Sequence, residues 1–141
     1  MLAVDTNVLV SAHRAEAELH EAASSALRDL AEGDVPWALP VFVVNEFVRV
    51  VTHPRVFTPP SSPHDALGVV AALLGSPTVR HLTPGRSYVR HLAAAIDDGG
   101  ATGNLVHDAA IVALCREHGV DSILTNDRDL RRFDSIRVVS L

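Results

Sequence analysis

The sequence predicts an α/β fold in which a central parallel sheet is covered by helices on both faces, and three observations predict it. Short apolar runs of strand length alternate with longer segments whose apolar residues recur at helical spacing, the pattern of consecutive βαβ units. Gly, Pro or an acidic residue closes most of these runs, as the turns between such units require. Finally, the 141 residues are 48% apolar and 21% charged. That composition excludes a disordered chain and is enough to bury a core as one domain spanning residues 1–141.

The elements follow in order. Leu2–Val4 is an apolar strand that stops at Asp5, and Asn7 to His13 continues as a short helix. Leu19, Ala22, Ala23, Ala26, Leu27 and Leu30 mark a second helix that Gly33 ends. Trp37–Leu39 is a strand, and Pro40 suits the first position of the next helix. Val41 to His53 is rich in valine, which favours strand. Its polar members Asn45, Glu46, Arg49, Thr52 and His53 nevertheless fall within an arc of roughly 120° at 100° per residue, so it is read as a helix.

Pro54 to Pro63 is a loop, and Asp65 to Leu74 is a helix closed by Gly75. Thr78–Leu82 is a strand. Thr83 and Pro84 resemble an N-cap followed by proline, so a helix carrying Tyr88, Leu92 and Ile96 is expected to start there and to end across Asp97–Gly100. A further helix from Thr102 or Asn104 to His118 is apolar all round over Ala109–Cys115 and must be buried. Ser122–Leu124 is a strand, and Ile136–Val139 closes the sheet as an edge strand.

Composition excludes several activities. All 12 Lys+Arg residues are arginine, which removes the P-loop lysine, a Schiff base and a lysine-completed aspartyl-phosphate site. A formal net charge of -5 argues against holding nucleic acid by bulk electrostatics, so local arginines and bound metal would have to supply the attraction. There is no apolar run near the ~20 residues of a membrane span, and no signal peptide is expected before the first strand. The single Cys115 permits no internal disulfide and fits a reducing cytoplasm.

Four acids stand at the edge of, or inside, apolar segments: Asp5, Glu46, Asp108 and Asp127. Each has an ordinary alternative: Asp5 as a helix N-cap, Glu46 as a partner of Arg49 at i+3, Asp108 as a complement to its helix terminus, and Asp127 or Asp129 as a turn residue. An acid after the first strand lies where open α/β sheets place their ligand crevice. Buried together, the four would repel one another unless a divalent cation compensated them. Their oxygen donors suit Mg2+, with Mn2+ able to substitute, whereas zinc would want His or Cys alongside.

With those residues in view, the chain resembles the PIN-domain family, in particular the VapC-like ribonuclease toxins of toxin-antitoxin pairs. The matching segments are VDTNVLV, NEFVRVVTHPRVF around Glu46, GNLVHDAAIVAL around Asp108, and ILTNDRDLRRF, in the family's order and across almost the whole chain. The resemblance implies a small three-layer α/β/α sandwich, metal-dependent cleavage of RNA, frequent homodimers and neutralisation by a small antitoxin protein. It places the family's acidic quartet on Asp5, Glu46, Asp108 and Asp127, with Asp129 as the neighbour that could take the fourth position. Thr6 or Asn7 would be the family's polar residue beside the first acid, and Thr125 the one before the last. In this reading Asp5 and Asp108 hold Mg2+ directly, and Glu46 and Asp127 act through water or a second ion. Arg128, Arg131 and Arg132 are expected to meet substrate phosphates.

Overall fold

In the computed structural model, which describes residues 1–141, the chain runs β1 (Leu2–Val4), α1 (Thr6–His13), α2 (His20–Glu32), β2 (Trp37–Pro40), α3 (Val41–Val51), α4 (Pro63–Leu74), β3 (Val79–Leu82), α5 (Tyr88–Gly99), α6 (Leu105–Glu117), β4 (Ser122–Leu124), a 3-10 turn (Asp129–Arg132) and β5 (Arg137–Val139). All five strands are parallel, in the order β3-β2-β1-β4-β5. The chain steps outward from β1 to β2 and β3, then crosses back to lay β4 on the other side of β1. The direction of winding therefore reverses between β1 and β4, and a crevice opens there at the carboxyl ends of the strands.

Burial explains the composition of the strands. Ala3, Val4, Trp37, Ala38, Leu39 and Ile123 are fully buried, as strands covered on both faces must be. The edge strands carry exposed Arg80, His81 and Arg137, charges that discourage further strand pairing. The valine-rich α3 is a helix, with Val43, Phe47 and Val51 buried on one face. In α6 the six residues Ala109, Ile111, Val112, Ala113, Leu114 and Cys115 are buried. Burial, and secondarily the nearby charge of Asp5, push the Cys115 thiol up to about 12. The thiol is inert core, as its apolar surroundings predict. No helix is long and apolar enough to cross a membrane.

Several boundaries differ from the sequence reading by one or more residues, among them the starts of three helices. Pro40 ends β2 and caps α3 from outside it. Pro63 is the first residue of α4, where the Ser62 hydroxyl accepts from the Asp65 N–H at 3.0 Å. The helix expected after Thr83 and Pro84 begins only at Tyr88. The reason is Glu117, whose carboxylate accepts from the N–H groups of Gly85 (2.9 Å) and Ser87 (3.0 Å) and from the Ser87 hydroxyl (2.8 Å). Those donors are turned toward α6, so residues 83–87 stay a loop.

Gly99 sits where α5 meets the core. A methyl group there would collide with the ring of Phe133, which is 1% exposed and has nowhere to move. Gly99→Ala is expected to destabilise the protein by about 1–3 kcal/mol, the usual result of overpacking. The urea unfolding midpoint measures it; an unchanged midpoint would show that α5 can slide away from Phe133.

Candidate active site

The site is built from the switch point outward. Asp5 follows β1, and its own N–H extends the ladder to the Leu124 carbonyl at 3.1 Å. Asp5 is also the N-cap of α1, accepting from the Thr6 N–H at 2.7 Å. The capping and functional readings of Asp5 thus coexist. Its second oxygen accepts from Asn7 Nδ2 (2.6 Å) and Thr125 Oγ1 (2.7 Å). Only 5% of Asp5 is exposed. Burial raises its carboxyl above the usual range; the bonds from Thr125 and Thr6 oppose that rise, and the charges of Glu46 and Asp127 add to it.

Thr125, fully buried at the end of β4, links the acids to each other. Its hydroxyl donates to Asp5 and accepts from Asn7 Nδ2 (2.8 Å) and the Asp127 N–H (2.9 Å). Thr125→Val keeps the shape and removes all three contacts. Stability is expected to fall by about 1–3 kcal/mol, read as a lower urea midpoint at unchanged slope. A variant as stable as the parent would make that hydroxyl dispensable.

Glu46 projects from the middle of α3 toward β1, where the Thr6 hydroxyl donates to it at 3.0 Å. Its other oxygen pairs with Arg49 at 3.2 Å, the i, i+3 contact that the sequence suggests. Asp127 accepts the Asp129 N–H at 2.8 Å, an Asx-type turn that fixes the loop after β4. Asp108 lies in the first turn of α6 and, half-buried, is held by no hydrogen bond or ion pair within the chain. Its carboxyl is pushed up to about 7, by burial first and then by the charges of Asp127, Asp5, Glu46 and Asp129, in that order. Of the charges that raise Asp108, that of Asp127 is the largest and that of Asp129 the smallest.

A cleft of about 940 Å3 is bordered by Glu46, Asp108, Asp127 and Asp129. Asp5 does not line it, and is joined to its acids through Thr6, which bonds both Asp5 and Glu46, and through Thr125, which bonds both Asp5 and the Asp127 N–H. No three His, Cys, Asp or Glu side chains lie close enough together to enclose an ion by themselves. The arrangement still fits a Mg2+-sized ion, which keeps several waters and takes only one or two protein carboxylates directly. The donors are all oxygen, Asp108 has no competing partner, and the mutual repulsion of the acids is what a divalent cation would relieve.

Not every residue singled out in the sequence reaches the cleft. Arg128 borders a second, polar recess with Asn7, Ser11 and Asn126 that meets the cleft at Asp127 and Asp129. Arg131 and Arg132 are exposed on the 3-10 turn and line neither recess. The guanidinium that does line the cleft is Arg49, which sequence reasoning treated only as a partner of Glu46. Phe42 and Tyr88 were likewise missed as cleft residues. The spacing of Phe42 and Arg49 from Glu46, at i-4 and i+3, was the available signal for the first two.

Comparison with known proteins agrees with this fold. Residues 2–136 match the family model described as PIN domain. The chain is 43% identical over 140 residues to VapC ribonuclease Mb2897 of Mycobacterium bovis, covering 97% of this chain and 92% of that protein. It is 33% identical to Ribonuclease VapC25 of Mycobacterium tuberculosis, covering 97% and 96%. Among solved structures, VapBC2 from Rickettsia felis, bound to a DNA fragment from its promoter, superposes with a TM-score of 0.68 at 14% identity over 99% of this chain and 98% of that one. A parallel sheet wound about its switch point, acids converging there, and this span of sequence similarity together make the chain a member of the PIN-domain family, within its VapC group.

Proposed function

We propose that the protein is a Mg2+-dependent endoribonuclease, the toxin of a toxin-antitoxin pair. The observation that carries the reading is that Glu46, Asp108 and Asp127 border one cleft and Asp5 is bonded in beside them, so that burial first, and then the charges of the neighbouring acids, raise the carboxyl groups of Asp5 and Asp108. The names of the relatives at 43% and 33% identity supply the class of substrate. Asp108 and Asp5 would hold the ion, with Glu46 and Asp127 reaching it through water; Mn2+ would serve in place of Mg2+. When bound, the ion supplies an acidified water for attack on a phosphodiester and offsets charge on the leaving oxygen.

The chain's own residues do the positioning. Thr6, Asn7 and Thr125 fix Asp5 from three directions, and Thr6 also orients Glu46. Arg49 brings positive charge to a cleft that also holds four acids, where a polyanionic substrate must enter. A small antitoxin protein and a second copy of the chain would be its partners in this reading. Purified protein should cleave RNA with Mg2+ or Mn2+ and stop when EDTA is added. Cleavage that persists in EDTA would refute the metal-dependent reading.

A further inference from the structure

We propose that the cleft carries a stacking platform, formed by Phe42 and Tyr88, that takes the unpaired base of the nucleotide beside the scissile phosphate. The inference rests on the ribonuclease reading and extends it to the form of the substrate. The two rings are half-buried with centroids 5.7 Å apart and planes inclined at 42°, so one ring does not cover the face of the other. Both line the same cleft as the acids. Phe42 precedes Glu46 by one turn of α3, about 6 Å along the axis. That distance suits the nucleotide next to a phosphate held at the acids.

Arg49 lies on the far side of Glu46 along the same helix and is the single guanidinium in the cleft. The order along α3 is therefore aromatic, acid, cation, which matches base, reacting phosphate and flanking phosphate of a single strand. Aromatic faces bind bases without requiring a particular sequence. A base paired within a duplex has its faces occupied by its neighbours and cannot reach such a platform. The amides of Asn45 and Asn104, at the rim of the cleft, can then read base edges and bias which nucleotide is accepted.

The test uses single-stranded oligoribonucleotides carrying 2-aminopurine at each position in turn. With Tyr88→Leu, KM for cleavage should rise on the order of tenfold, while kcat stays within about twofold. Tyr88→Phe keeps the ring and should restore the wild-type KM, which a merely structural role for the hydroxyl would not. The Asp5→Asn protein should quench 2-aminopurine at one position of the bound strand, and Tyr88→Leu added to it should abolish the quenching. Unchanged KM in Tyr88→Leu, or no position quenched, would overturn the proposal. So would a Tyr88→Leu variant that loses affinity for the antitoxin while its RNA kinetics are unchanged, because the wall would then belong to a protein partner. Quenching is read without catalysis, so an absence of cleavage by the wild-type protein would count against the ribonuclease reading alone.

Discussion

Asp5→Asn is expected to lower RNA cleavage on the order of 10²–10³-fold or more, comparable to removing a charge-stabilising group from an active site. The loss should come with a moderate fall in stability. From the sequence alone, removing one of several repelling carboxylates predicts a fold that is intact or more stable. The hydrogen bonds around Asp5 change that expectation. One carboxylate oxygen accepts from the Thr6 N–H, the other from Asn7 Nδ2 and Thr125 Oγ1. An asparagine offers one oxygen and one NH2 group, so whichever way it turns a donor faces a donor. Asn7 cannot flip to help, because its own oxygen accepts from the Asn126 N–H at 3.2 Å.

A stranded buried donor costs about 1–3 kcal/mol, and relief of repulsion from Glu46 and Asp127 offsets part of it. Cleavage assays and a thermal melt on one preparation measure both effects. Undiminished cleavage in the presence of metal would remove Asp5 from the site. A higher melting temperature would mean that repulsion outweighs the three bonds.

The second large effect concerns Asp108. Its carboxyl titrates near 7 in the fold against 3.8 unfolded, so between those values the native state binds more protons than the unfolded chain. The contribution of Asp108 to stability without metal is therefore most favourable below about pH 4, falls as pH rises toward 7, and is flat beyond. Because the group is half-exposed, solvent screening reduces the penalty to about 1–2 kcal/mol. Asp108→Asn should recover that amount at pH 8, raising the melting temperature by several degrees. Millimolar Mg2+ should stabilise the wild-type protein by binding the native state alone, and the asparagine variant far less. The two proteins would then exchange rank when metal is added. Equal stabilisation of both by Mg2+ would remove Asp108 from the ion's surroundings.

Much of this architecture was legible in advance because it is periodic. The polar arc of α3 overrode the strand preference of its valines, and the unbroken apolar run of α6 announced a buried helix. The late start of α5 was not legible, since it depends on Glu117, 30 residues beyond Ser87 in the chain. The acids could be picked out one by one because each interrupts an apolar segment. What links them could not. The resemblance named Thr6, Asn7 and Thr125 as polar neighbours of the acids, but that Asn7 and Thr125 bond the same oxygen of Asp5 became visible only in the fold. Arg49 and Tyr88 belong to the cleft because α3 and α5 face each other across it, a relation that no local pattern encodes.

The bond between Asp5 and Thr125 spans 120 residues, and β1 pairs with β4 over the same interval. Ribosomes extend a chain at ~5–20 residues per second, so Asp5 waits for seconds before its partner emerges. A nascent polypeptide thus leaves the exit tunnel without a finished catalytic centre, surrounded by the very polymer that we propose it hydrolyses. Delayed closure of this kind would let the translating machinery complete its product before that product becomes dangerous to it.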